Sequence, residues 1–190
     1  MQITLKKYGV WALLLAAVIM QLYGPVKTIA YKNDLLKTGT EYNVRRTEVV
    51  DPINPFKGRY VAINLGVDVP AGMELKINGG DSFYMRLETD AEGFAIITEL
   101  SAVPIEGPDV LKLSGRAYRM GWFTDSVQIP IYEYYMQEKL APAAERAYLN
   151  ERDKVYAVIR VKNLDCIIEG LYVGGERIED YVARESGAGG

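Results

Sequence analysis

This 190-residue chain contains no histidine and a single cysteine, Cys166. The first absence excludes Ser-His-Asp and Cys-His catalysis, HExxH zinc sites and imidazole general bases in one step. The second excludes an internal disulfide. A transition metal would be left with carboxylates, a poor donor set for zinc or copper, so only a weak calcium or magnesium site stays open. The residues nominate no metal and no cofactor. Cationic excess is missing too: 22 Lys and Arg stand against 25 Asp and Glu, a formal charge of −3. With no basic patch and no aromatic RNA motif, nucleic acid is not an expected partner. Neither Gly79-Gly80 nor Gly174-Gly175 has a lysine at P-loop spacing, so both pairs read as turns. Cys166 lies beside Ile167 and Ile168 with no base at hand, and reads as a small buried hydrophobe.

Long apolar runs are also scarce, and there is one. Lys6 and Lys7 precede an uncharged stretch from Tyr8 to Val26. At 1.5 Å per residue it reaches roughly 28 Å, about the hydrocarbon thickness of a bilayer. Tyr8, Trp11 and Tyr23 stand towards its ends, where interfacial aromatics collect. A signal peptide shares this outline, but Leu22 spoils a cleavage site after Gly24, and Thr28-Ile29-Ala30 lies far from the apolar core. No cysteine follows closely enough for lipidation. The stretch 8–26 is therefore read as an uncleaved single-pass anchor, with 1–7 inside. Lys6 and Lys7 favour that orientation, although Lys27, Lys32 and Lys37 weigh against it. Residues 27–39 read as a juxtamembrane helix and linker, with Ile29, Leu35 and Leu36 apolar and Gly39 as its stop.

Beyond Gly39 the hydrophobic period changes from helical to alternating. Strands are expected at 42–45, 60–65, 110–118 and 127–131. Hairpins are expected at 83–100, around Asp90-Ala91-Glu92-Gly93, and at 155–173, around Lys162 to Asp165. One inserted helix is expected from Glu133 to Arg152, with Pro142 in its first turn or at a kink, and a short one at Ile178 to Val182. The fold class is mainly β (α+β): a transmembrane helix, then a β-sandwich or barrel-like domain over 40–185, and a flexible tail over 186–190. The two hairpins align, Leu87 over Ile159 and Ile96-Ile97 over Ile167-Ile168. That leaves two options, one domain or two similar lobes at 40–131 and 132–185.

The most particular segment is Asp51-Pro52-Ile53-Asn54-Pro55-Phe56-Lys57-Gly58-Arg59-Tyr60. Pro52 and Pro55 fix φ and keep their predecessors extended, and Gly58 permits a sharp turn into a strand. Lys57 and Arg59 are placed to pair with Asp51, which makes a rigid structural corner. The same Asp51, Lys57, Arg59 and Tyr60 would also present polar groups at a binding surface. Glu138 and Glu145 are the other acids singled out. A carboxylate pair does glycosidic acid–base work at about 5–9.5 Å, yet spacing i, i+7 on a helix suits a solvated stripe better. Tyr132, Tyr134 and Tyr135 are expected in the core with wet hydroxyls, or as an aromatic ledge.

These residues resemble the GDYxxLxY domain family of membrane-anchored bacterial proteins. The signature octet here is Gly58-Arg59-Tyr60-Val61-Ala62-Ile63-Asn64-Leu65, with Arg59 where aspartate is common, Ile63 in place of leucine and Asn64 in place of the second tyrosine. A second stretch, Ile131 to Glu138, is similar to the family's "ERYFVPEG"; Tyr134, Tyr135 and Glu138 match, and Glu145 stands as the later acid. The resemblance covers roughly residues 8 to 182. It implies a single-span envelope protein at the bacterial inner membrane, N-terminus inside and domain on the periplasmic side, often encoded beside a polytopic membrane protein. No catalytic activity comes with it. An accessory protein acting with that polytopic partner is expected. A small-ligand envelope module and a carboxylate hydrolase using Asp51 or Glu138 are the alternatives.

Overall fold

The computed structural model describes residues 2–45, 60–63, 65–73, 81–114, 118–120, 125–137 and 139–187. Helix α1 (Gln2–Thr38) runs unbroken through Pro25 and joins the apolar stretch to the segment after it. It is the one helix, among the described residues, long and apolar enough to cross a membrane. From Trp11 to Ile29 its large side chains contact almost nothing, with Leu13 74% and Met20 82% exposed. Its last turns behave differently. Leu35 is fully buried, and Lys32 and Asp34 pair with Asp165 and Lys162 at 2.7 and 2.6 Å. The helix ends where the Gly39 N–H returns to the Leu35 carbonyl at 2.9 Å.

The strand-rich domain begins with β1 (Thr40–Arg45), which pairs antiparallel with β10 (Val155–Lys162). β10 pairs with β11 (Asp165–Val173), and β11 with the two-residue β12 (Glu176–Arg177). The tight β10–β11 turn holds Asn163 and Leu164 at φ 52° and 67°, the double left-handed geometry that matches strand twist. A second sheet is β5-β4-β6, from β4 (Ser82–Thr89), β5 (Ala95–Ser101) and β6 (Val110–Ser114). Its β4–β5 turn is held by Asp90 Oδ1, which accepts from the Glu92 and Phe94 N–H groups at 2.9 and 2.8 Å. Two parallel bridges stitch the sheets together, Asn43 to Phe94 at one edge and Leu111 to Leu164 at the other.

Both hairpins slip register by one residue, between Arg86 and Leu87 in one and Val158 and Ile159 in the other. Those are aligned positions, so the likeness seen in the sequence extends to the bulge. Strands from either side of residue 131 pair with each other, however: β1 with β10, and β2 (Tyr60–Ala62) with β9 (Glu133–Tyr135). A third sheet is β3-β8-β7, from β3 (Leu65–Asp68), β7 (Tyr118–Met120) and β8 (Asp125–Ile129). One core, including Val61, Leu65, Phe83, Leu87, Ile129, Tyr148, Ile159 and Leu171, spans all the sheets and both helices of the domain.

Three local expectations change. The inserted helix is shorter than Glu133 to Arg152: α2 is Ala141–Asn150, and a 3₁₀ turn follows at Arg152–Lys154. Residues 133–135 are strand because Tyr134 and Tyr135 find a partner in β2, whereas Pro142 suits only a first helical turn. The expected strands 60–65 and 110–118 each divide, the first into β2 and β3 and the second into β6 and β7. The last helix, α3 (Ile178–Gly187), continues past Val182 into the segment read as tail.

Candidate functional site: the paired motif strands

The two motif segments lie side by side. Tyr60 faces Tyr135, Val61 faces Tyr134 and Ala62 faces Glu133, and the Ile63 N–H donates to the Tyr132 carbonyl at 3.0 Å. Beyond that point the same two chain directions continue as β3 and β8, Leu65 opposite Ile129 through Asp68 opposite Ser126. The register of this second stretch is offset by one residue, absorbed at Pro130-Ile131. Pro130 has no N–H to offer a ladder. The Ile131 N–H instead returns to the Ile129 carbonyl at 2.7 Å.

The tyrosines of the second motif divide by exposure. Tyr132 and Tyr135 are 52% and 63% exposed, and the Tyr135 hydroxyl bonds Glu133. Tyr134 is buried, and its hydroxyl donates to Glu179 Oε1 at 2.5 Å. Arg177 closes the group, with Nη2 3.5 Å from the Tyr134 hydroxyl and Nε 3.7 Å from Glu179 Oε2. Burial, then the bond to Glu179, pushes the Tyr134 phenol above its ordinary value. Glu179 Oε2 is enclosed and has no hydrogen-bond partner among the described residues. Glu179 stands in the first turn of α3, where the helix dipole favours a carboxylate.

Gly170 makes room for Arg177. A Cβ there would lie 3.3 Å from Arg177 Nη2 and 3.2 Å from the Tyr172 ring. Arg177 also donates to the Glu169 carbonyl at 3.4 Å. On the far side of β11, Arg160 bridges Glu169 and Glu41 at 2.5 and 2.6 Å and reaches the Gly39 carbonyl at 3.4 Å. A chain of charged contacts thus runs from the helix junction at Gly39 to the motif tyrosine.

Of the residues singled out from sequence, Tyr134 is in this cluster and Tyr60 is placed by its backbone opposite Tyr135. Glu145 lies half-buried on α2, outside this cluster. Asp51, Pro52, Pro55, Lys57, Gly58, Arg59 and Glu138 lie outside the described residues. Arg177 and Glu179 escaped the sequence reading because nothing local marks them. Gly170, a glycine inside the expected strand, was the available signal.

Two open clefts of about 420 Å³ each flank the domain. One lies between α2 and α3, at Ala143, Arg146, Tyr181 and Glu185. The other lies at Arg45, Glu92, Phe94, Lys154 and Tyr156. There the Arg45 guanidinium stacks on Phe94 at 4.1 Å, and Tyr156 meets Phe94 edge-on and Tyr172 face-on. Chemically, the cluster can hold a strand against a helix or orient a polar ligand. Glu179 faces a phenol and a guanidinium rather than a second carboxylate. Among the described residues no three His, Cys, Asp or Glu side chains converge. Cys166 is a poor nucleophile, since burial and then the Asp165 carboxylate push its thiol up to about 12.

A model of the GDYXXLXY protein family matches residues 21–171. No curated protein and no solved structure matches the chain.

Proposed function

Because this chain belongs to the GDYXXLXY protein family, we propose that it is a membrane-anchored interaction protein that presents a rigid β domain to a polytopic partner. The observation that carries this reading is the contrast within α1. Its apolar half is bare from Trp11 to Ile29, while its last two turns are clamped to the domain by Leu35, Lys32 and Asp34. A bare apolar helix of that length costs little only in a bilayer. On this reading the N-terminus is inside, the anchor is uncleaved, and the domain sits on the periplasmic face of the inner membrane. The paired motif strands form its stiff centre. The absence of His-based chemistry and the isolation of Glu179 from a second acid favour docking over catalysis.

The deciding experiment replaces Arg59 with a photoreactive residue in the intact, membrane-embedded protein and identifies adducts by mass spectrometry. One dominant polytopic adduct supports the reading. A correctly anchored, folded protein that gives none, and never co-purifies with a membrane protein, overturns it. A second reading, a small-ligand module, draws on the aromatic wall of Phe94 and Tyr156 beside Arg45 and Lys154. Its volume falls in the range of small-molecule sites. Ligand-induced shifts of those two rings by NMR would favour it over docking.

A further inference from the structure

We propose that the tip of the β10–β11 hairpin, Asn163-Leu164, is a lipid contact that seats the domain on the membrane beside its anchor. This rests on the reading of α1 as a membrane span.

The chemistry of the turn is the first observation. A two-residue turn with both residues left-handed favours Asn-Gly. Here the second position is Leu164 at φ 67°, with its side chain 37% exposed. A side chain in that region costs about 1–2 kcal/mol relative to the right-handed conformation. The turn is therefore strained and also leaves apolar surface uncovered. It is held in place nonetheless, because the Lys112 N–H donates to the Leu164 carbonyl at 3.1 Å.

Its position is the second. Asp165, the next residue, is 2.7 Å from Lys32 Nζ, and its charge helps push the Tyr31 phenol up after burial does. Lys162, on the other side of the turn, bonds Asp34 and Thr38 at 2.6 Å each. From Val26, the end of the uninterrupted uncharged stretch, to Lys32 is roughly 9 Å along the helix. Helical side chains lean towards the N-terminus, which brings Lys32 Nζ nearer the span by up to about 5 Å. The tip accordingly stands roughly 4–9 Å above the end of the uncharged stretch. The headgroup layer on one side of a bilayer is about 5–7 Å thick.

The surroundings are the third. Tyr31, Lys32 and Lys162 lie beside the tip, the two lysines paired with Asp165 and Asp34, and the Lys112 backbone backs it; aromatic and basic side chains beside an apolar point are what a lipid interface accepts. Two contacts with the membrane, the span and the tip, would fix both the height and the rotation of the domain.

The test uses the full chain in nanodiscs of mixed neutral and anionic lipid. Leu164→Cys, and separately Asn163→Cys with the leucine intact, carry a nitroxide label. Cys166, which is only partly buried, is replaced by serine in every labelled variant. Trp11→Cys reports the span, and Ala91→Cys reports the opposite end of the domain. Accessibility to oxygen, which concentrates in lipid, is compared with accessibility to a water-soluble nickel complex. Lipid-like values at 11 and at 163 or 164, with water-like values at 91, are expected. Water-like values at both 163 and 164 with a lipid-like 11 overturn the seat and leave the span intact. Positions 163 and 164 shielded from both reagents mean that protein, not lipid, covers the tip. A water-like 11 overturns the span and this inference together.

Discussion

Replacing Gly39 with alanine should loosen the joint between α1 and the domain more than any surface change. An added Cβ would stand 2.6 Å from the Leu35 carbonyl oxygen, 3.1 Å from Arg160 Cβ and 3.1 Å from the Val161 carbonyl oxygen. None of these is the mobile end of a side chain, so backbone must shift. The shift pulls the end of α1 away from β10 and strains the Gly39–Leu35 bond of 2.9 Å and the Arg160 contact of 3.4 Å. Overpacking of this kind costs about 1–3 kcal/mol, and weakening a hydrogen bond adds about 1 kcal/mol. Alanine returns about 0.4–1 kcal/mol by restricting the unfolded chain. The net loss is about 1–3 kcal/mol, or roughly 3–12 °C in Tm for a domain of this size. Thermal unfolding in detergent, followed by circular dichroism, reads it directly. Gly24→Ala is the matched control, since nothing lies within 4 Å of a Cβ there. If Gly39→Ala melts with Gly24→Ala and the parent protein, the close approach does not constrain the joint and the reasoning fails.

Other outcomes follow from the same geometry. Tyr134→Phe removes the hydroxyl that donates to Oε1 of the partly buried Glu179 carboxylate, and should cost about 1–3 kcal/mol in urea unfolding. Adding Glu179→Gln should recover part of that loss, and strict additivity would argue against the pairing. Tyr42 donates to the buried Leu87 carbonyl at 3.0 Å, and burial, then Asp109, holds its phenol far above the ordinary range. The unfolded phenol ionises near pH 10, so the stability is fully present below that pH and is lost as pH rises beyond it. Alkaline unfolding of the parent should accordingly be steeper than that of Tyr42→Phe. Cys166, with its thiol raised to about 12, should resist maleimide at pH 7 in the folded protein and react once urea unfolds it. Stoichiometric labelling of the native state would contradict the burial.

Local chemistry carried much of the fold in advance. An uncharged run about as long as a bilayer's hydrocarbon core is thick is legible without any tertiary context, because the constraint is length and solvation alone. The hairpins at 83–100 and 155–173 were legible because strand-forming residues flank turns of Asp90–Gly93 and Lys162–Asp165. The family's two motifs were legible as strings of letters. Their pairing was decided only by tertiary structure. Tyr60 and Tyr135 are far apart in sequence, and no periodicity records which strands meet. The start of α2 was misplaced for the same reason: residues 133–135 became strand by finding β2, not by propensity. Arg177 and Glu179 joined Tyr134 only when α3 packed back across β11, an event with no local signature. The sequence by itself determined which segments are apolar, extended or turning, since those follow from side chains and their nearest neighbours. Tertiary structure alone decided which tyrosine is buried, which glutamate it binds and how α1 is clamped to the domain. Those depend on long-range contacts that no local pattern encodes.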